Sequence, residues 1–141
     1  MTLAIAEDEL ERVHAHAREG YPHEVVGILA GRRGDNAVTR AHPLRNERAD
    51  SPANRYKVSA LVLARAEQAL EAEGLQIVGY YHSHPDHPAR YSDYDRDHAL
   101  PNMSYVIVGV QQGEVAETLS WRLREDRSAM DAEAIHIVEN R

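Results

Sequence analysis

Residues 76–95 read QIVGYYHSHPDHPARYSDYD. The apolar and aromatic run Gln76–His82 predicts a strand. A polar loop follows, and Ser92 opens a short predicted helix that runs to about Ala99. Between Tyr80 and Asp95, sixteen residues hold three histidines (His82, His84, His87) and three aspartates (Asp86, Asp93, Asp95). His82 and His84 lie two apart at the end of a strand, so their side chains project from one face. Seven residues separate His84 from Ser92, and Ser-x-x-Asp then puts Asp95 in the first turn of the helix. Two imidazoles and one carboxylate are ligands that Zn²⁺ accepts, and three of them leave a fourth position for water. The plainer readings are an exposed polar loop and, for Ser92-x-x-Asp95, a capping box with Asp in place of Glu or Gln.

Outward from this stretch, EDELERVHAHARE carries Leu10, Val13 and Ala17 at helical spacing, with acids in its first turn. Gly20 and Pro22 end that helix. Val25–Gly31 (VVGILAG) is a buried strand closed by the turn RRGDN, and AVTRAHPL returns as the second arm of a hairpin. Arg45–Arg55 has no periodicity and reads as a loop. Ser59 caps a second helix whose expected inner face is Val62, Ala66, Ala69 and Leu70, with Gly74 past its end. SYVIVGV is a buried strand, TLSWRLR a half-buried one, and EAIHIVE an edge strand that closes the chain. Helices and strands intermix. The expectation is an α/β (mixed α+β) fold: a central mixed β-sheet with helices on both faces, in one domain over residues 1–141.

Composition narrows the function. The 141 residues carry a net charge of −7, spread along the chain, which argues against nucleic acid as the main partner. No apolar run approaches the ~20 residues of a membrane span. The N-terminus turns acidic within seven residues, unlike a signal peptide, so the expected compartment is the cytoplasm. Without cysteine there are no disulfides and no thiolate metal sites. His14 and His16, two apart on a helix, face different directions and read as surface residues. His87, His98, Asp86, Asp93 and Asp97 read as solvated, with His87 and His98 near enough to the candidate site to touch a substrate. A hydrolytic zinc also needs a base. No HExxH helix is present, and fourteen glutamates compete for the role. Glu24 stands out mildly, because it opens the apolar run VVGILAG, where a carboxylate is costly to bury.

Taken together, PHEVVGILAG (22–31) and VGYYHSHPDHPARYSDYD (78–95) resemble the JAMM (MPN-plus) metalloprotease family in its short prokaryotic form. The family pattern is a glutamate on an early strand, then HxHP, seven residues after the second histidine, then SxxD. It is filled here by Glu24, His82, His84, Pro85, Ser92 and Asp95. The resemblance runs from the first helix to SYVIVGV. Tyr91 stands where many bacterial members have proline, and Val26 where many have cysteine. Neither position is a ligand, so these departures bear on subfamily and substrate.

The resemblance implies a cytidine-deaminase-like core and a Zn²⁺ ion held by His82, His84 and Asp95. It also implies Glu24 as general base and Ser92 as a donor to the developing oxyanion. The reaction implied is hydrolysis of a peptide or isopeptide bond after the C-terminal diglycine of a ubiquitin-like or sulfur-carrier protein. The tail of that protein is expected to lie extended along an exposed strand edge. The loops Arg45–Arg55 and Asp86–Tyr91 would flank it, with Arg48, Arg55 and Arg90 able to meet an acidic face of the carrier. Two alternatives stay open: a zinc hydrolase of a small-molecule amide, and a non-catalytic MPN-type binding module. The oligomeric state is not legible in the sequence.

Overall fold

The structure, a computed structural model, describes residues 1–46 and 59–139. The element order is β1 (Thr2–Ala6), α1 (Glu7–Gly20), β2 (Val26–Arg32), β3 (Ala37–Leu44), α2 (Ala60–Ala72), β4 (Gln76–Pro85), α3 (Asp93–His98), β5 (Ser104–Gln111), β6 (Glu114–Leu123) and β7 (Met130–Val138). The strands are ordered β1-β3-β2-β4-β5-β6-β7 and close into a barrel. Closure is made by β1, which pairs in parallel with β7 over five residues and with β3 over two. The β4–β5 pair is also parallel, and the remaining pairs are antiparallel.

Side-chain alternation sends apolar residues to both faces of this mixed sheet. Inside the curl, Leu10, Val13 and Ala17 of α1 pack against Leu3, Ile5, Leu29, Val38, Tyr81, Val106 and Val108. Outside it, Val26, Ile28, Ala30 and Ile77 pack against Leu70 of α2. Helices therefore cover both faces, as expected. Tyr81 is fully buried, and its ring lies where a Cβ on Gly27 would stand, 2.2 Å from Tyr81 Cε1. Glycine at position 27 thus lets β2 and β4 approach around that ring.

Several expectations are corrected. Thr2–Ala6 forms a strand that was not foreseen. EAIHIVE belongs to β7, which is no edge strand: it is bonded to β6 on one side and β1 on the other. In α2, Ser59 caps as expected, its Oγ accepting from Val62 N at 3.2 Å, and Gly74 ends the helix at φ +83°. Its inner face, however, is Leu63, Ala66 and Leu70, while Val62 and Ala69 are exposed. TLSWRLR is half-buried as expected, with Leu119, Trp121 and Leu123 partly covered, but the fully buried residue in it is Ser120. His14 and His16 are half-buried, bonded to Thr118 Oγ1 (2.8 Å) and to the Tyr81 hydroxyl (2.7 Å). Among the described strands each has bonded neighbours on both sides over part of its length, and the unpaired stretches include β6 before Ser120 and β3 past Val38. Even there Glu9 Oε1 takes the Ala41 N–H at 2.8 Å. Most of the loop Arg45–Arg55, with Arg48 and Arg55, lies outside the described residues. No helix among the described residues is long and apolar enough to cross a membrane.

Candidate metal centre

The end of β4 carries the site. His82 sits beside Val26 of β2 and Ile107 of β5, so its backbone is fixed from both sides. It is 2% exposed. Ser83, between the two histidines, points to the other face and is fully buried. Its Oγ accepts from Val25 N at 2.9 Å and its N–H donates to Val25 O at 3.1 Å. That two-point clamp fixes the residue next to Glu24. Asn46 Nδ2 donates to Glu24 O at 2.8 Å and completes the hold. Glu24 is 4% exposed. Sequence reasoning overlooked Ser83 and Asn46. The only signal for Ser83 is a small polar residue between two histidines, and nothing local marks Asn46.

Asp95 reaches the histidines from the first turn of α3. Ser92 Oγ accepts from Asp95 N at 3.1 Å, and Asp95 Oδ2 accepts from Ser92 N at 2.9 Å. The capping box is therefore real, and it orients the carboxylate toward β4. Asp95 Oδ1 lies 3.2 Å from His82 Nε2, Asp95 Oδ2 lies 3.2 Å from His84 Nε2, and the two Nε2 atoms are 3.2 Å apart. Ligand atoms of Glu24, His82 and His84 also lie within 4.8 Å of one another. Asp95 thus sets one carboxylate oxygen 3.2 Å from each imidazole Nε2, with Glu24 in the same cluster.

Protonation states make this triangle informative. His84 Nδ1–H donates to Pro88 O at 2.9 Å, which leaves the Nε2 lone pair facing the Asp95 carboxylate. The same Nε2 lies 3.2 Å from His82 Nε2, so a proton on either imidazole or a metal ion completes the arrangement. Burial alone lowers the His84 pKa, but the bonds to Asp95 and Pro88 outweigh it and raise the pKa above its ordinary value. Burial likewise raises the Asp95 pKa, yet the bonds from both histidines and from Ser92 N–H hold it well below the usual carboxylate range. Tetrahedral Zn²⁺ with bonds of about 2.0–2.1 Å spaces its ligand atoms about 3.3 Å apart. The 3.2 Å spacings between the two Nε2 atoms, and from each of them to one oxygen of the Asp95 carboxylate, fit that demand in spacing and donor type.

The loop joining His84 to Ser92 is pinned along its length. Asp86, read from the sequence as mere polar surface, is a tether at φ +58°. Its Oδ1 accepts from Gln112 N at 2.8 Å and its Oδ2 from the Tyr21 hydroxyl at 2.7 Å. Ala89 is fully buried, its carbonyl accepting from Trp121 Nε1 at 2.9 Å, and Tyr91 meets the Trp121 ring edge-on at 5.1 Å. Tyr91 thus finds a packing partner where proline is common. His98 stacks on Tyr94 with ring centroids 4.0 Å apart, and His87 borders the cavity. That cavity measures about 340 Å³ and is lined by Glu24, His84, Arg90, Ser92, Tyr94 and Asp95 among others.

Residues 6–124 match the model of a family described as prokaryotic homologs of the JAB domain. The chain is 40% identical over 109 residues to a probable TtuB-protein conjugate cleaving protease of Thermus thermophilus, covering 77% of this chain and 71% of that protein. It is 37% identical over 110 residues to a desampylase of Haloferax volcanii, covering 74% and 78%. It is 30% identical over 138 residues to a CysO-cysteine peptidase of Mycobacterium tuberculosis, covering 97% and 92%. A protein of Desulfitobacterium hafniense with a known solution structure superposes with a TM-score of 0.83 at 28% identity, over 99% of this chain and 94% of the other. With this match across the barrel and the site it carries, the chain belongs to the prokaryotic JAB-domain family.

Proposed function

We propose that this chain is a zinc-dependent hydrolase that cleaves a peptide or isopeptide bond after the C-terminal Gly-Gly of a ubiquitin-like or sulfur-carrier protein, acting as one domain. The observation that carries the reading is the 3.2 Å triangle of His82, His84 and Asp95, with Glu24 beside it at the wall of an open cavity. Proteins similar to this chain are named for cutting a protein conjugate and a protein–cysteine adduct, which supports the choice of bond.

His82, His84 and Asp95 would hold the ion. Zinc, when bound, supplies a Lewis acid that polarises a carbonyl and lowers the pKa of water. Glu24 takes a proton from the attacking water and passes it to the leaving amine. The Ser92 hydroxyl uses its oxygen to cap α3, so its own proton stays available for the oxyanion that forms on the scissile carbonyl. Pro88, through its carbonyl, keeps the His84 ring turned with Nε2 inward. Glycines before the scissile bond suit a buried, narrow site, because a Cβ there would meet the walls.

The test is cleavage of carrier–amino-acid and carrier–protein fusions, before and after chelator treatment and zinc readdition. Activity that disappears with the metal, returns with it, and drops when Gly-Gly is changed to Ala-Ala is expected. Equal rates on Gly-Gly and Ala-Ala fusions would refute diglycine recognition and favour a small-molecule amide as substrate.

A further inference from the structure

Arg90 is an exposed arginine in the wall of the same cavity as Glu24, His84 and Asp95, and it makes no ion pair among the described residues. Other arginines near acidic groups, such as Arg96 beside Asp93 and Asp97, do make them. The backbone that presents Arg90 is fixed on both sides. Ala89 is held through its N–H by Glu117 Oε1 (3.3 Å) and through its carbonyl by Trp121 Nε1 (2.9 Å), and Tyr91 is stacked edge-on against Trp121. Strand β6 therefore fixes the backbone beside Arg90, which lines the cavity together with Glu24, Asp95 and two histidines.

We propose that Arg90 is a specificity-determining residue that binds the free α-carboxylate of a single amino acid attached past the diglycine. This rests on the hydrolase reading above. Guanidinium and carboxylate match as a two-point pair, and a diglycine tail offers no charge of its own for Arg90 to meet. The negative group next to the scissile bond is then the carboxylate of the residue that leaves. With an ion held by His82, His84 and Asp95, the charges of Glu24 and Asp95 are offset, and Arg90 at the cavity wall gives the leaving carboxylate a guanidinium to meet. In the reaction, water adds to the carbonyl of the second glycine and the C–N bond breaks. Glu24 delivers the proton to the amine, so the products are a carrier carboxylate and a free amino acid. A volume of about 340 Å³ is at the lower end of small-ligand pockets, which suits one residue better than a folded protein.

The experiment uses a ubiquitin-like carrier extended past its Gly-Gly by one alanine, prepared as the free acid and as the C-terminal carboxamide. Binding of both to the full-length Glu24→Gln variant is measured by calorimetry, with Arg90 intact and with Arg90→Ala or Arg90→Lys added. With Arg90 intact the acid should bind about tenfold more tightly than the amide. Arg90→Ala should bring the acid down to the amide's affinity, and Arg90→Lys should keep part of the preference as a point charge. Three results overturn the assignment: equal affinities with Arg90 present (no measurable binding of either included), a preference that survives Arg90→Ala, or a loss that falls equally on acid and amide. The last would place Arg90 against the carrier's surface. Cleavage by wild-type protein is followed in parallel. Absence of cleavage of both counts against the hydrolase reading alone, while the binding comparison decides Arg90.

Discussion

Two polar clusters are buried in this barrel, toward opposite ends of the β4–β5 pair, and they are built on different principles. Toward the start of β5, Glu133 Oε1 accepts from Ser104 Oγ–H at 2.5 Å and from Ser120 Oγ–H at 2.7 Å. Arg122 donates to Ser104 Oγ at 3.0 Å and stands 3.8 Å from Glu133 Oε2, and Asn36 Nδ2 donates to Thr2 O at 3.0 Å. One carboxylate faces one guanidinium: Glu133 Oε2 has no hydrogen bond among the described residues, and the Arg122 charge 3.8 Å away offsets its own. At the end of β4 two carboxylates, Glu24 and Asp95, meet two imidazoles, with the His84 lone pair aimed at Asp95 and no lysine or arginine in the triangle. Buried polarity alone therefore does not mark a site. An excess of buried acceptors does, because only a cation completes it.

The comparison breaks most sharply at the ligands. His82→Ala, His84→Ala or Asp95→Ala should take zinc from one per chain to near none and activity to background, with circular dichroism unchanged. A folded wild type that carries no zinc after zinc-replete expression would end the idea. Next in size is Glu24→Gln, which keeps the metal and costs ~10²–10⁴ in rate, since the amide cannot accept the proton. Ser92 needs two variants, because it both caps α3 and lines the cavity. Ser92→Ala loses cap and hydroxyl. Ser92→Gly also lacks the Oγ that accepts from Asp95 N, but glycine at an N-cap costs only a few tenths of a kcal/mol. Both should slow turnover by about 10²–10³. Activity that instead followed the melting temperatures of the two would reduce Ser92 to a cap.

The same contrast explains what the sequence disclosed. His82, His84, Ser92 and Asp95 were legible because strand and helix periodicities fix their directions within twenty residues. Glu24 became a candidate through the family resemblance. Its place beside the histidines depends on Val25 meeting Ser83 across strands, a pairing that local pattern does not contain. The β1–β7 closure escaped for a similar reason. TLAIA is short, and EAIHIVE alternates with polar residues as an edge strand would, so neither shows that the other is its partner. The charge-paired cluster was invisible throughout, since Asn36, Ser104, Ser120, Arg122 and Glu133 come from four separate segments.

That charge-paired cluster gives the complementary prediction. Glu133→Ala leaves Arg122 largely buried without its counter-charge, and the two serines without their acceptor. Breaking a buried pair in this way costs about 3–5 kcal/mol. Urea unfolding should report that loss, while zinc per folded chain and activity per folded chain stay at the wild-type level. A variant that unfolds no more easily but loses zinc would mean that the two clusters are coupled and the contrast between them is false.

The smallest expected effect lies in histidines that have no carboxylate. His84, bonded to Asp95, has its pKa raised, whereas His14 and His16 have theirs lowered, chiefly because burial disfavours the imidazolium. Their partners are hydroxyls: Thr118 for His14 and Tyr81 for His16. Burial pushes the Tyr81 pKa up, so the phenol keeps its proton beside neutral His16. A histidine with a depressed folded-state pKa binds more protons unfolded than folded just below about pH 6.5, so stability there rises with pH. The contribution is present above about pH 6.5 and is lost as pH falls toward the folded-state values. Urea unfolding at pH 7 and pH 5 tests this, with His82→Ala in every protein so that metal release adds nothing. The background with His14 and His16 intact should lose more stability on acidification than the one carrying His14→Gln and His16→Gln. Equal losses would mean that these two imidazoles protonate in place, and that α1 tolerates charge where the core contacts say it should not.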